Sequence, residues 1–227
     1  MTLNKRLAGI GLLVLGGLLG STPFAANAVL SPFGPRLYSG PAATFRIVDP
    51  NGRPIPGAIA LMDWSYMESN GASQRVFKVI EIEADSHGVI RVPGWGPIIT
   101  PFGTRMIANM PRLRVFKPGY LPIFDLNTTV EYWEEAPASM ALQWDGKTIV
   151  LAAADRHGNQ YLDQLQALSG SMSFYLDPKQ CWPASSYRLI DALNPELNEL
   201  MPQGVAGRSF QPNRHGCITD TRIRVSN

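Results

Sequence analysis

Short runs of hydrophobic residues, separated by turn-forming residues, dominate the first part of the chain. Runs of this kind, in which apolar and polar residues alternate, are typical of β-strands. The pattern predicts strands over residues 43–48, 58–66, 76–83, 89–92 and 112–116, a short edge strand over 121–124 and one more strand over 147–153. Because proline and glycine are frequent in residues 29–42 and 93–111, we expect both segments to lack regular structure.

The clearest alternation lies in the strand over residues 76–83. It places Val76, Lys78, Ile80 and Ile82 on one face, and Phe77, Val79, Glu81 and Glu83 on the other. Trp64 and Tyr66 are also two positions apart in a predicted strand. We expect these two side chains to share a face and to be buried or exposed together.

The hydrophobic period becomes helical after residue 158. One predicted helix has Tyr161, Leu162, Leu165, Leu168 and Met172 at helical spacing. A second follows Ser185 and Ser186, with Leu189, Ile190, Leu193, Leu197 and Leu200 on one face. Pro195 is expected to break this helix or to begin a new turn. The sequence thus predicts an α+β protein, in which an antiparallel β-sandwich precedes an α-rich C-terminal extension.

Residues 1–28 have the layout of a secretory signal peptide. Lys5 and Arg6 precede an apolar run from Leu7 to Gly20, and the small residues Ala26 and Ala28 mark a cleavage site after position 28. The run is shorter than the roughly 17 residues that a spanning helix needs, so a retained anchor is the less favoured alternative. We predict a periplasmic or secreted protein without a transmembrane anchor after cleavage.

Removal of the signal peptide leaves a chain without net charge. The whole sequence has 20 Lys+Arg and 18 Asp+Glu, and the two surplus cations are Lys5 and Arg6 of the signal peptide. Nucleic acid is therefore not an expected partner. Two local charge runs are interpreted as a solvated strand face and a solvated loop: Arg105, Arg112, Arg114 and Lys117, and Glu131, Glu134 and Glu135.

The two cysteines, Cys181 and Cys217, become interpretable once export is predicted. In an oxidising compartment a single disulfide between them is the favoured assignment. The alternative is a cysteine nucleophile with His215 as its base, since His215 lies two positions before Cys217.

Three groups of residues carry a resemblance to a known family. They are Ile47, Val48 and Asp49 with Gly52 to Ala58, then Asp85 with Gly88, and finally Leu113 to Val115 with Pro118, Gly119 and Tyr120. Over about residues 43–123 the chain resembles the carboxypeptidase regulatory-like domain. The resemblance implies a transthyretin-like or immunoglobulin-like β-sandwich that serves as an accessory module and has no catalytic residue.

The chain accordingly divides into a signal peptide (1–28), an extended lead-in (29–42), a sandwich (43–127) and a mixed, α-rich region (128–227). Intradiol dioxygenases share the proline, glycine, alanine entry to a strand, but their iron needs two closely spaced histidines. The histidines here, His87, His157 and His215, are far apart. We therefore expect no metal and no cofactor, and interpret Asp85 with His87, and Asp155 with His157, as turn residues.

Aromatic residues are the remaining candidates for function. Trp95, Tyr120, Trp133 and Trp144 could form a binding surface, although core packing is the alternative for each. The favoured hypothesis is an exported, non-catalytic module that binds a protein, a glycan or a cell-envelope component. The alternative is a small periplasmic hydrolase whose site lies between the sandwich and the C-terminal region, with Asp155, His157 or His215 as its catalytic groups.

Overall fold

A computed structural model describes residues 35–68, 71, 74–107, 109–128, 139–172 and 187–200. These residues form an α+β structure of mostly antiparallel sheets with two helices. The strands are β1 (Leu37–Gly40), β2 (Ala43–Val48), β3 (Ile59–Glu68), β4 (Gln74–Glu83), β5 (Val89–Val92), β6 (Trp95–Ile99), β7 (Thr104–Met106), β8 (Arg112–Phe116), β9 (Ile123–Leu126) and β10 (Thr148–Val150). The helices are α1 (Asn159–Ser171) and α2 (Arg188–Leu200).

The strands form three sheets. The largest has the order β4-β3-β8-β9, and β7 pairs with the far end of β3. A three-stranded sheet has the order β10-β2-β5, in which β10 runs parallel to β2. The strands β1 and β6 pair antiparallel as a separate two-stranded ribbon. A strand from the predicted C-terminal region, β10, is therefore part of a sheet with the predicted sandwich.

The two larger sheets share one apolar core, which we call the sheet core. Phe45 and Ile47 of β2 pack there with Met62 of β3 and Val115 of β8, and each is at most 2% exposed. On β2 the intervening residues Thr44 and Arg46 are exposed, as expected when one face of a strand is buried.

The other face of the largest sheet is covered by the two helices, and this interface we call the helix core. Its buried apolar residues come from the sheet, from both helices and from the residues that flank them: Ile59, Leu61, Val76, Phe116, Tyr161, Leu165, Leu168, Met172, Tyr187, Leu189, Ile190, Leu193 and Leu197. The strand β3 of this sheet is thus buried on both faces over most of its length, which explains its nearly continuous apolar run.

All seven predicted strands are confirmed, with small shifts at their ends. The expectation of irregular structure is wrong in two places, because β1 lies within residues 29–42 and β6 and β7 lie within 93–111. Among the strands named above, β1 and β6 pair with each other alone, and Ser39 of β1 also forms an isolated bridge with Ser139. Prolines are tolerated where a strand has a free edge.

The predicted alternation in β4 is also wrong at one end. Trp64 is opposite Lys78 but Ser65 is opposite Val76, so Phe77 is an extra residue in a β-bulge. Beyond the bulge the faces are exchanged. Val76 packs in the helix core, whereas Ile80 packs in the sheet core.

Both predicted helices are confirmed, but Pro195 lies inside α2 instead of breaking it. A proline in a helix interior costs about 3 kcal/mol. Burial of the apolar side chains Leu189, Ile190, Leu193 and Leu197 of α2, at about 1.5–3 kcal/mol each, more than offsets that cost.

In the described part of the chain, neither helix combines the length and the hydropathy needed to cross a bilayer. Cys181 and Cys217 lie outside the described residues, so their disulfide stays a prediction.

Candidate functional site

Three exposed apolar side chains lie at the end of the β1–β6 ribbon and in the turn that follows it. Leu37 is 48% exposed, Ile99 is 66% exposed and Phe102 is 75% exposed. Leu37 and Ile99 are directly opposite each other across the ribbon, and Phe102 follows three positions after Ile99. We call these three residues the ribbon tip.

Backbone hydrogen bonds hold the ribbon tip in position. The N–H of Thr100 donates to the carbonyl of Arg36 at 2.9 Å, which closes the ribbon beyond Leu37 and Ile99. A tight turn presents Phe102, because the hydroxyl and the N–H of Thr104 both donate to the carbonyl of Pro101. Gly103 has a φ of 75° in that turn, a conformation that favours glycine.

The base of the ribbon is anchored in the sheet core by an aromatic cluster. The half-buried ring of Trp95 meets Trp64 edge-on at 5.2 Å and Phe77 at 5.8 Å, and Phe77 lies 6.0 Å from Tyr66. Trp64 and Tyr66 thus contribute to one cluster, although Trp64 is 1% exposed and Tyr66 is half-buried. The indole N–H groups of Trp64 and Trp95 have no hydrogen-bond partner among the described residues, so packing holds this cluster.

Gly40 allows Trp95 to lie so close to β1. A Cβ atom at position 40 would be 2.2 Å from Nε1 of Trp95, well inside any permitted contact. The ribbon therefore has a fixed, buried base and an exposed apolar tip.

A second cluster, of charged groups, is buried in the helix core. The carboxylate of Asp63 accepts from the Arg114 guanidinium through Oδ1, and from Nε and Nη2 of Arg112 through Oδ2 at 3.0 and 2.6 Å. The side chains of Asp63 and Arg114 are 0% and 3% exposed. Arg114 also donates to the hydroxyl and the carbonyl of Ser171, both at 2.7 Å, at the end of α1.

This ion cluster corrects one sequence prediction. Arg112 and Arg114 are predicted on a solvated strand face, but the helices cover that face and leave Arg112 only partly exposed. The sequence does contain a signal for the cluster, since Asp63 is the one charged residue between Ile59 and Met67. A carboxylate in such a strand needs a buried cation.

A third polar contact joins the helices to the turn after β8. The Tyr161 hydroxyl donates to Oε2 of Glu196 at 2.8 Å and accepts from the N–H of Gly119 at 3.1 Å. Burial raises the pKa of Tyr161 to about 12, and the nearby carboxylate of Glu196 adds to the increase. Tyr161 is therefore a neutral donor that positions the helices.

The four predicted binding residues do not form one surface. Trp144 is 4% exposed in the sheet core, and its indole N–H donates to Oδ2 of Asp125 at 2.7 Å. Tyr120 is half-buried, at an isolated bridge to Ala153. Trp95 lies at the base of the ribbon, and Trp133 is outside the described residues.

The aspartate and histidine pairs lie in exposed turns. Asp85 Oδ1 accepts from the N–H of His87 at 2.9 Å, and Asp155 Oδ1 accepts from the N–H of His157 at 3.1 Å. A hydrogen bond from Arg91 is the main cause that lowers the pKa of Asp85 to about 2. His215 is not among the described residues, and within those residues no three His, Cys, Asp or Glu side chains could hold a metal ion.

No family model matches the sequence, and no match is found among curated proteins. Among solved structures, dioxygenases are similar to the chain at 12% identity. Hydroxyquinol 1,2-dioxygenase from Pseudomonas putida DLL-E4 matches 55% of this chain and 58% of its own, with a TM-score of 0.24. 3-Chlorocatechol 1,2-dioxygenase from Rhodococcus opacus 1CP matches 53% and 61%, with a TM-score of 0.26. Chlorocatechol 1,2-dioxygenase from Pseudomonas putida matches 53% and 60%, with a TM-score of 0.25.

The match thus spans about three fifths of the length of each of these enzymes. TM-scores this low do not establish a shared fold. The reactions of the dioxygenases therefore say nothing about the activity of this chain.

Proposed function

We propose that this chain is an exported, non-catalytic binding module that attaches to a component of the cell envelope through the ribbon tip. The observation that carries the proposal is the grouping of Leu37, Ile99 and Phe102. These are the most exposed apolar side chains on the ribbon and the turn that follows it, with Leu37 opposite Ile99 and Phe102 three positions after Ile99. Grouped apolar exposure of this kind is typical of an interaction surface.

The resemblance to carboxypeptidase regulatory-like domains supports the same class of function. Two residues that carry the resemblance, Asp49 and Asp85, each accept hydrogen bonds from backbone N–H groups in a tight turn after a strand. We propose a transthyretin-like sandwich on this basis, with a C-terminal part that supplies the helix layer. Members of that family usually serve as accessory modules.

The hydrolase alternative has less support. Of its three candidate groups, Asp155 and His157 lie on an exposed turn, where Asp155 binds a backbone N–H. The buried charges of Asp63 and Arg114, between the sheet and the helices, are committed to ion pairs.

Export is part of the proposal and has its own test. The exported protein should begin at Val29, as determined by N-terminal sequencing, and should lack free thiols after denaturation because Cys181 and Cys217 are bonded to each other. A chain that retains residues 1–28, or one with two titratable thiols, would contradict this part.

Site-specific photo-crosslinking in intact cells tests the binding surface. A crosslinking residue at position 99 or 102 should give an adduct in the envelope fraction. The matched control is position 124, because Phe124 is 43% exposed on β9, which belongs to a different sheet from the ribbon. Equal adducts at positions 102 and 124, or none at either, would count against the ribbon tip as the binding surface.

A further inference from the structure

The ribbon tip lies in a stretch of the chain that has no acidic residue. Residues 86–124 contain the cations Arg91, Arg105, Arg112, Arg114 and Lys117 and no Asp or Glu. The segment 35–48, which forms β1 and β2, likewise contains Arg36 and Arg46 but no acid. Within the first stretch Arg91 pairs with Asp85, and Arg112 and Arg114 pair with the buried Asp63, so these three charges are compensated.

Arg105 is the cation best placed to act with the ribbon tip. It is exposed on β7, three positions after Phe102, and a chain segment of that length spans at most about 11 Å when fully extended. It forms no ion pair within the part of the chain that the structure describes. The carboxylate of Glu68, which is opposite Thr104, has a cation of its own, since Nε of Arg75 lies 3.6 Å away.

The shape of the ribbon tip suits a fluid partner. Phe102 lies in a tight turn with three quarters of its surface exposed, and Ile99 and Leu37 are exposed opposite each other on the ribbon. An exposed apolar side chain is stabilised most by a partner that surrounds it and removes its whole surface from water. The acyl boundary of a bilayer does so, and anionic headgroups attract an exposed cation beside it, here Arg105.

We propose that the envelope component bound by the ribbon tip is an anionic lipid surface. Phe102 and Ile99 enter the boundary between headgroups and acyl chains, and Arg105 binds the phosphate groups of the lipids. This inference rests on the proposed function, because it names the partner of the same surface. Two weak contributions act together here, so binding should be reversible and should weaken as salt is raised.

Vesicle flotation with the processed, exported chain tests the proposal. The chain should float with vesicles of phosphatidylcholine and phosphatidylglycerol in equal parts, and much less with phosphatidylcholine alone. Phe102→Ser should weaken binding about tenfold, because a buried apolar side chain is lost. Arg105→Gln should weaken it about fivefold and reduce its salt dependence.

Matched controls separate the ribbon tip from general surface effects. Phe124→Ser removes an exposed aromatic ring from β9, and Arg188→Gln removes an exposed cation from α2. Both should bind within about twofold of the unaltered chain. Equal losses from Phe124→Ser and Phe102→Ser, or equal binding to both kinds of vesicle, would overturn the lipid proposal.

The crosslinks at positions 99 and 102 distinguish a failure of the binding module from a failure of the lipid partner. An adduct from position 102 whose mass increase equals that of a phospholipid supports both the binding module and its lipid partner. An adduct with a protein, together with no flotation, leaves the binding module standing and overturns the lipid proposal. No adduct and no flotation overturns both.

Discussion

The two faces of the largest sheet are buried in different ways. Toward the sheet core, the buried side chains of β3 and β8 are apolar, such as Met62, Trp64 and Val115. Toward the helix core, the same strands present Leu61 and Phe116 but also the buried charges of Asp63 and Arg114.

The difference shows how the strands of the sheet and the layer of helices are held in position. Apolar packing is non-directional, and within the largest sheet backbone hydrogen bonds fix the register of β3 and β8. The helices have no ladder to the sheet. Arg114 supplies one directional contact between them, because it binds Asp63 on the sheet and the Ser171 carbonyl at the end of α1, where the helix dipole is negative.

The largest expected effect breaks this contact. In the variant Asp63→Ala, the guanidinium of Arg114 stays buried without its carboxylate. Removing one partner of a buried ion pair costs about 3–5 kcal/mol, so the free energy of unfolding should fall by that amount. Denaturant unfolding, followed by far-UV circular dichroism, measures it.

A double variant distinguishes lost charge pairing from lost volume. Replacing Asp63 by Leu and Arg114 by Met together removes both charges, and such replacements of buried pairs are often neutral. The double variant should recover most of the stability lost in Asp63→Ala. If Asp63→Ala cost less than about 1 kcal/mol, the ion cluster would not be what positions the helix layer.

On the sheet-core side, Gly40 allows a corresponding test of apolar packing. In Gly40→Ala the new Cβ would lie 2.2 Å from Nε1 of Trp95, so the indole must leave the aromatic cluster. Overpacking of this kind costs about 1–3 kcal/mol. Denaturant unfolding measures the loss, and a shift of tryptophan emission to longer wavelength should accompany it.

The matched control lies on the helix side. Gly170 is near the end of α1, and a Cβ atom there would contact nothing within 4 Å. Gly170→Ala should leave the emission unchanged and stabilise the protein by about 0.5–1 kcal/mol. A similar loss of stability in both variants would show that the close approach of Gly40 and Trp95 is unimportant.

The contrast also explains what the sequence can predict. β2 is predictable because its apolar positions face the sheet core while Thr44 and Arg46 face solvent. The bulge at Phe77 has no local signal, since it arises from pairing with β3. Sequence patterns miss β1 and β6 because their pairing joins segments far apart in the chain, in stretches rich in proline and glycine.

The candidate sites, like the strands, are predictable from the sequence only where the signal is local. Alternating arginines on β8 suggest a solvated face, and only the packing of helices from a later part of the chain reveals that this face is covered. Trp95 is a candidate because of its position in a glycine- and proline-rich segment, and it does lie on the ribbon. The sequence does not single out Ile99 and Phe102, because an apolar residue in an expected loop gives no local sign of exposure.

A smaller effect is expected where Tyr161 joins the helices to the sheet. Tyr161→Phe removes the donor to Glu196 and the acceptor for Gly119, while Arg156 still pairs with Glu196. The expected loss is about 1.5 kcal/mol. Because the folded-state pKa of about 12 lies above the ordinary 10.0, this tyrosine stabilises the fold fully below pH 10 and less as the pH rises toward 12.

Unfolding at increasing alkalinity measures that dependence. The unaltered chain should lose stability between pH 10 and about 12, and Tyr161→Phe should lose less over the same interval. Parallel curves for the two chains would mean that Tyr161 does not hold the helix layer.

The smallest effect is expected on the sheet side, in acid. The hydrogen bond from Arg91 and the N–H groups of Val89 and His87 hold the pKa of Asp85 near 2, below its ordinary 3.8. The stabilisation is therefore present above pH 3.8 and is lost as the pH falls toward 2. In Asp85→Asn the amide oxygen still accepts from both N–H groups, so the turn persists while the ion pair with Arg91 is lost.

Near neutral pH, Asp85→Asn should be slightly less stable than the unaltered chain, and its free energy of unfolding should fall less in acid. Its loss of stability in alkali should be unchanged. Denaturant unfolding across the pH range measures these differences. Tyr161→Phe should show the reverse, since the two layers of the molecule depend on groups that titrate at opposite ends of the pH scale. If the free energy of unfolding falls equally in acid for Asp85→Asn and for the unaltered chain, the acid-sensitive contacts lie elsewhere than in this turn.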